Sequence, residues 1–158
     1  PESEATERFD TAAGRTVLGG GGITPDVTGA ARTLTDDVVH LYGSGAFFNF
    51  AIELLQGVPE PEQAAFATSF SFDAAVADRF WTWVHEQEIL DGASIERARE
   101  DEQSVEDVRR ALAVELLNST VGLEAGFRLA IEGDDQFHAA LEHLPDAADL
   151  WTAWQQED

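Results

Sequence analysis

The side chains able to do chemistry in this 158-residue chain form a narrow set, because it has no cysteine and every one of its nine basic residues is arginine. Without cysteine there is no thiolate nucleophile, disulfide or Cys-based metal site. A serine hydroxyl becomes a nucleophile when a histidine or desolvated lysine takes its proton and donors hold the oxyanion. Ser44, Ser69, Ser71, Ser94, Ser104 and Ser119 stand in cap, turn or helix-interior contexts, none of them in a Gly-x-Ser-x-Gly elbow. His138 and His143 lie five apart, off the shared face of an i, i+4 zinc pair, and no His-Glu-x-x-His occurs. His85 and Glu86 diverge on a helix, and His40, between Val39 and Leu41, reads as a hydrogen-bonded structural histidine. The pairs Asp36/Asp37, Asp101/Glu102 and Asp134/Asp135 read as caps and solvated faces. Trp81/Trp83 and Trp151/Trp154 read as core or interface packing. No residue is assigned as catalytic, cofactor-binding or metal-binding, and no cofactor is expected.

One stretch stands apart: Thr11-Ala-Ala-Gly-Arg-Thr-Val-Leu-Gly-Gly-Gly-Gly-Ile-Thr-Pro-Asp-Val27. A phosphate loop needs its glycines to run into Gly-Lys-Ser/Thr at a helix start, where the lysine and the helix N-terminus supply positive field. These glycines run into Ile23-Thr-Pro-Asp26 instead. The dinucleotide fingerprint fails too, since the preceding strand is short and no helix follows.

Charge narrows the partners. Asp and Glu number 31 against nine Arg, a formal net charge of -22. Such a field repels nucleic acid backbones and anionic lipid head groups. Uniform acidity with Arg in place of Lys also fits a chain that stays hydrated in concentrated salt, where self-repulsion is screened. No apolar run approaches the ~20 residues of a membrane span, and no basic-then-apolar leader opens the sequence. The first residue is Pro1 and methionine is absent. That is the expectation for an excised or processed segment.

The elements that would position these residues change character near Gly29. Before it, 8–11 and 15–18 are short β-compatible runs around Ala12-Ala13-Gly14, a spacing that predicts a hairpin with Gly14 at φ > 0. After it, helices dominate. Thr35 or Asp36 caps a first helix towards Tyr42, with Val38, Val39, Leu41 and Tyr42 as its apolar side. Residues 46–55 predict a second helix, apolar almost all round and therefore buried, closed by Gly57 and Pro59. Pro59-Glu-Pro61 reads as a surface turn. Asp73 caps a helix from 74 to about 90 that Asp91-Gly92 ends, with Trp83 and His85 off its apolar face. Ser94 caps the next segment, and Ser104-Val-Glu-Asp107 resembles a capping box ahead of the stripe Val105, Val108, Leu112, Leu116. That helix bends through Gly122 and Gly126 to Ile131. A short helix from Asp134 or Asp135 reaches Leu144, Pro145-Asp146 interrupts, and 147–154 is a last piece. The fold class is mainly α, with a β-hairpin and Gly-rich remnant at 1–28 and a helical domain at 29–158.

Residues 9–27 resemble the Thr-x-x-Gly-Arg-x-hydrophobic-x-Gly-x-Gly-Ile-x-Pro-Asp-hydrophobic segment of the carboxyl-terminal processing peptidases, or tail-specific serine proteases. Gly14, Arg15, the glycine run, Ile23, Pro25 and Asp26 carry the match. Phe47-Phe48-x-Phe50-Ala51 and the stretch from Ala130 to Phe137 followed by Ala140-Leu-Glu-x-Leu-Pro145 give weaker support. The resemblance implies an α/β protease core with a Ser-Lys dyad, a PDZ domain that reads substrate C-termini, and an extracytoplasmic location. In that family both dyad residues precede the glycine-rich segment, so no catalytic residue is carried onto this sequence, and the absence of lysine agrees. The expectation is a C-terminal fragment of such a peptidase, inert by itself, that packs on the core and pairs subunits. Its partners would be the remainder of the peptidase, the polypeptide substrate of the intact enzyme and a second copy. The helix at 46–55 and the tryptophans are the surfaces expected to do this. The alternative is an independent acidic helical interaction module, for which the hairpin would be dispensable.

Overall fold

Seven of the chain's ten phenylalanines fall between residues 47 and 80, and the fold gathers three of them around the ring of the last. In the computed structural model, which describes residues 8–10, 16–18, 27 and 32–155, Phe80 is fully buried. It stacks on Phe47 at 6.0 Å between centroids and meets Phe50, Phe72 and Trp81 edge-on at 5.1, 6.4 and 5.0 Å. Each such pair adds about 0.5–1.5 kcal/mol beyond the area it buries.

Contacts divide the chain into 1–30 and 31–158. In the first unit, β1 (Arg8–Asp10) pairs antiparallel with β2 (Thr16–Leu18), Phe9 opposite Val17. The expected hairpin is therefore present. Its Gly14 turn and the glycine run at 19–22 lie outside the described residues.

The second unit is mainly helical. Helix α1 (Asp36–Gly43) buries Val38 and Leu41, whereas Val39 and Tyr42, expected on the same side, are about half exposed. Its last turn closes on Ser44, whose hydroxyl donates to the Leu41 carbonyl at 3.0 Å. Gly45 then takes φ 70°, left-handed backbone that a side chain would strain. The chain turns by 64° there into α2 (Ala46–Gln56). No single described helix is long and apolar enough to cross a membrane. Helix α2 is one-sided rather than buried all round: Phe47, Phe50, Ala51, Leu54 and Leu55 face the core, while Phe48 and Ile52 face out.

The expected turn at Pro59 is instead the start of α3 (Glu60–Thr68). Pro61 lies in its first turn, where a missing N–H costs nothing. Helix α4 (Ala74–Glu86) begins where expected, with Asp73 accepting from the Val76 N–H at 3.0 Å. It stops short of residue 90, because Glu88 adopts φ 55° and the Ile89 N–H returns to the Val84 carbonyl. Trp83 is half-buried against Phe50 at 5.6 Å, so it belongs to the core edge.

Both serine caps are corrected. Helix α5 (Gly92–Glu100) is capped by Asp91, which accepts from the Ser94 N–H at 2.7 Å, and α6 (Glu102–Thr120) by Asp101, which accepts from Ser104 N–H at 2.7 Å. A carboxylate three residues upstream outcompetes the hydroxyl, since it is the stronger acceptor and carries the charge a helix N-terminus favours. Helices α1, α2, α3 and α5 pack on α6, through Val108, Ala111, Leu112 and Leu116.

Helix α6 does not bend onward; it ends at Val121–Gly122, where φ is 130° at Gly122, and α7 (Leu123–Ile131) folds back onto it. The contact is close, for a Cβ on Gly126 would run into the Asn118 side chain and sit 3.0 Å from the Val114 carbonyl. Asp134, accepting from the N–H groups of Gln136 and Phe137, opens α8 (Asp135–Glu142). Pro145 does not interrupt: it lies in the first turn of α9 (Leu144–Gln155).

Candidate functional site

The strongest concentration of buried polar chemistry is a seam along α6. Ser104, Asp107 and Ala111 follow one another at three- and four-residue steps, in phase with the apolar stripe, so the fold turns a hydroxyl and a carboxylate inward. Ser104 and Asp107 are 1% and 4% exposed. The chain entering the helical unit lies against them. Arg32 Nη2 reaches Asp107 Oδ1 at 2.6 Å, Gln103 Nε2 donates to the Thr33 carbonyl at 2.6 Å, and the Thr35 and Ser104 hydroxyls share a hydrogen bond of 2.9 Å.

The electrostatics follow from burial. Loss of solvent pushes the Asp107 carboxyl above its usual range, and Arg32 and Arg110 oppose that. The Tyr42 phenol is pushed up for the same first reason, and Asp107 and Glu115 add to it. Arg110 Nη2 lies 3.3 Å from Glu106 Oε1, and its guanidinium presses against the backbone of Gly133, where a Cβ would collide with it. Asp107 Oδ2 and Arg110 Nε are buried without a hydrogen-bond partner among the described residues.

The seam can hold chain segments together by charge-assisted bonds. Its hydroxyls, Thr35 and Ser104, are bonded to each other, and the carboxylate beside them is held by Arg32. The other serines fare similarly: Ser44 and Ser69 donate to carbonyls of their own helices and Ser94 accepts from Arg97. Ser71 and Ser119 are exposed.

The histidines are brought to separate places. His40 is exposed on α1 rather than built into the core. His138 Nε2 meets the Glu132 carbonyl at 2.9 Å, and His143 Nδ1 meets Asp146 at 3.2 Å. Among the described residues no three His, Asp or Glu side chains converge as metal ligands. Of the paired carboxylates, Asp37 holds Arg97 through two bonds of 2.9 and 3.0 Å, and Asp101 and Asp134 are caps. An open groove of about 320 Å³ between α2 and α4 has Trp83 and Thr82 in its wall, with Glu53, Asp78 and Glu86 against Arg79.

Sequence reasoning took Asp107 for the end of a capping box. Its phase with Val108, Ala111 and Leu112 is the signal that marks it as buried. No family model, curated protein or solved structure matches the chain.

Proposed function

We propose that this chain is the non-catalytic, helical C-terminal part of a processing-type serine peptidase, working outside the cytoplasm. The intact enzyme would hydrolyse peptide bonds near substrate C-termini through an acyl-serine activated by a neutral lysine. In this reading β1 and β2 belong to the α/β protease core and the helical unit packs on that core. The observation that carries the proposal is the run of matched letters from Gly14-Arg15 through the glycines to Ile23, Pro25 and Asp26. The chain also has no lysine to serve as base, so the activity would rest on residues elsewhere in the protein.

The test has two arms. The purified chain, offered C-terminally extended peptides and a serine-reactive fluorophosphonate, is expected to cleave nothing and take up no label. Extending the reading frame upstream of Pro1 is expected to add a PDZ-like region, then a Ser and a Lys whose replacement by alanine abolishes cleavage. Cleavage by the chain itself, lost on changing one of its own serines, overturns the proposal, as does an upstream frame without the dyad.

A second reading is an independent helical interaction module. It is favoured by the self-sufficiency of the helical unit, whose core from Val38 to Leu116 is built within residues 31–158. Deleting residues 1–30 discriminates, since this reading expects unchanged stability and solubility.

A further inference from the structure

Helix α7 turns one side, with half-buried Ala125, Leu129 and Ile131, toward its own chain and leaves a second apolar side open. Its close contact with α6 is made through Gly126, its single fully buried residue, while Leu123 and Phe127, one turn apart, are 76% and 65% exposed. Helix α8 repeats the pattern: none of its residues is buried, and Phe137 and Leu141, again one turn apart, are 37% and 45% exposed. Leu144, at the start of α9, is 58% exposed. Helices of eight or nine residues are marginal without a tertiary face to bury, and apolar residues gathered at helical spacing on the outside mark an interaction surface.

We propose that these stripes on α7 and α8 dock a cationic amphipathic helix of another protein. The charge around them decides the occupant. Over residues 121–155 carboxylates outnumber Arg128 by seven to one, and Arg128 is itself engaged by Glu124 at 2.8 Å. A partner with Lys or Arg flanking an apolar stripe meets complementary potential on both sides of the contact. A second copy would set carboxylates against carboxylates, each chain at -22. An anionic lipid surface is repelled in the same way. The proposal is independent of the peptidase reading and survives its failure.

The test uses the full chain and three synthetic helical peptides at ~0.15 M salt. One carries a Leu stripe with Lys elsewhere, one the same stripe with Glu, and one the Lys composition scrambled so that no stripe forms. By calorimetric titration the striped Lys peptide is expected to bind about tenfold tighter than either other, a difference of ~1.4 kcal/mol. The preference over the scrambled peptide is expected to vanish in Leu123→Ser/Phe127→Ser and in Phe137→Ser/Leu141→Ser. Glu142→Lys/Asp149→Lys, which changes charge on exposed positions without touching the stripes, is expected to weaken binding with helical circular dichroism unchanged. Equal binding of the striped and scrambled Lys peptides, equal binding of the Glu peptide, or no binding overturns the proposal. So does a dimer by light scattering that the stripe variants abolish.

Discussion

Arg32 and Asp107, 75 positions apart in sequence, form an ion pair of 2.6 Å in which the carboxylate is 4% exposed and the guanidinium 37%. The pair fastens the segment entering the helical unit to its central helix, beside the Thr35–Ser104 and Thr33–Gln103 bonds. A half-open partner keeps some hydration, so the pair is cheaper to form than a fully buried one.

Removing either member leaves the other without its partner. Asp107→Asn and Arg32→Ala are each expected to cost about 1–3 kcal/mol by urea denaturation. The Arg32→Ala penalty should be larger at pH 8 than at pH 4, because the raised pKa of Asp107 lets the lone carboxyl go neutral as pH falls. Equal penalties at both pH values would mean that Asp107 is not the group being compensated.

Gly126 is where α7 touches α6. Gly126→Ala places a methyl against Asn118 and the Val114 carbonyl. The cost is expected at about 1–3 kcal/mol, the range for overpacking. Gly122→Ala has open space around it but φ 130°, so its penalty would arise from backbone strain. Amide exchange should show α7 opening first in the Gly126 variant.

Glu106 sets an acid limit. The hydrogen bond from Arg109, with its charge and that of Arg110, lowers the carboxyl from 4.5 to about 2. A depressed folded pKa means that this stabilisation is complete above the unfolded value and is lost as pH falls through about 2. Glu106→Gln should therefore be less stable than the parent at pH 7 by about 0.2–1 kcal/mol, the size of an exposed pair. The gap should close as pH drops from 4.5 towards 2 in thermal melts.

Salt should stabilise. With a net charge of -22, self-repulsion opposes compaction, and shrinking the Debye length from ~10 Å at 0.1 M to ~3 Å at 1 M removes most of it. The exposed pairs Arg97–Asp37 and Arg99–Asp78 lose strength over the same range, but each is worth only about 0.2–1 kcal/mol. The melting temperature is expected to rise by several degrees from 0.1 to ~1 M sodium chloride. A fall would show that the ion pairs outweigh the net charge.

Local chemistry made much of the helical layout readable. Asp73 ahead of an apolar run resolves as expected, as do Val108, Leu112 and Leu116 of the α6 stripe, whereas Val105 at its start is only half-buried and Ser104 takes the buried place. The hairpin expected from the runs at 8–11 and 15–18 is present as Arg8–Asp10 paired with Thr16–Leu18. Where two local signals competed, sequence was insufficient: Asp91 against Ser94, Asp101 against Ser104, and Pro61 or Pro145 as breaker against first-turn residue.

Composition and short-range spacing by themselves determined the charge, the absence of any lysine or cysteine chemistry and the mainly helical class. Tertiary structure decided which face of each helix is covered. Periodicity states that Leu123 and Phe127, or Val38 and Leu41, share a side, but burial is a property of what lies opposite. Only the packing of α6 against five other helices shows that the first pair faces solvent and the second faces the core. The same holds for Asp107 and Arg32, whose attraction has no meaning until the chain returns on itself and excludes water from between them.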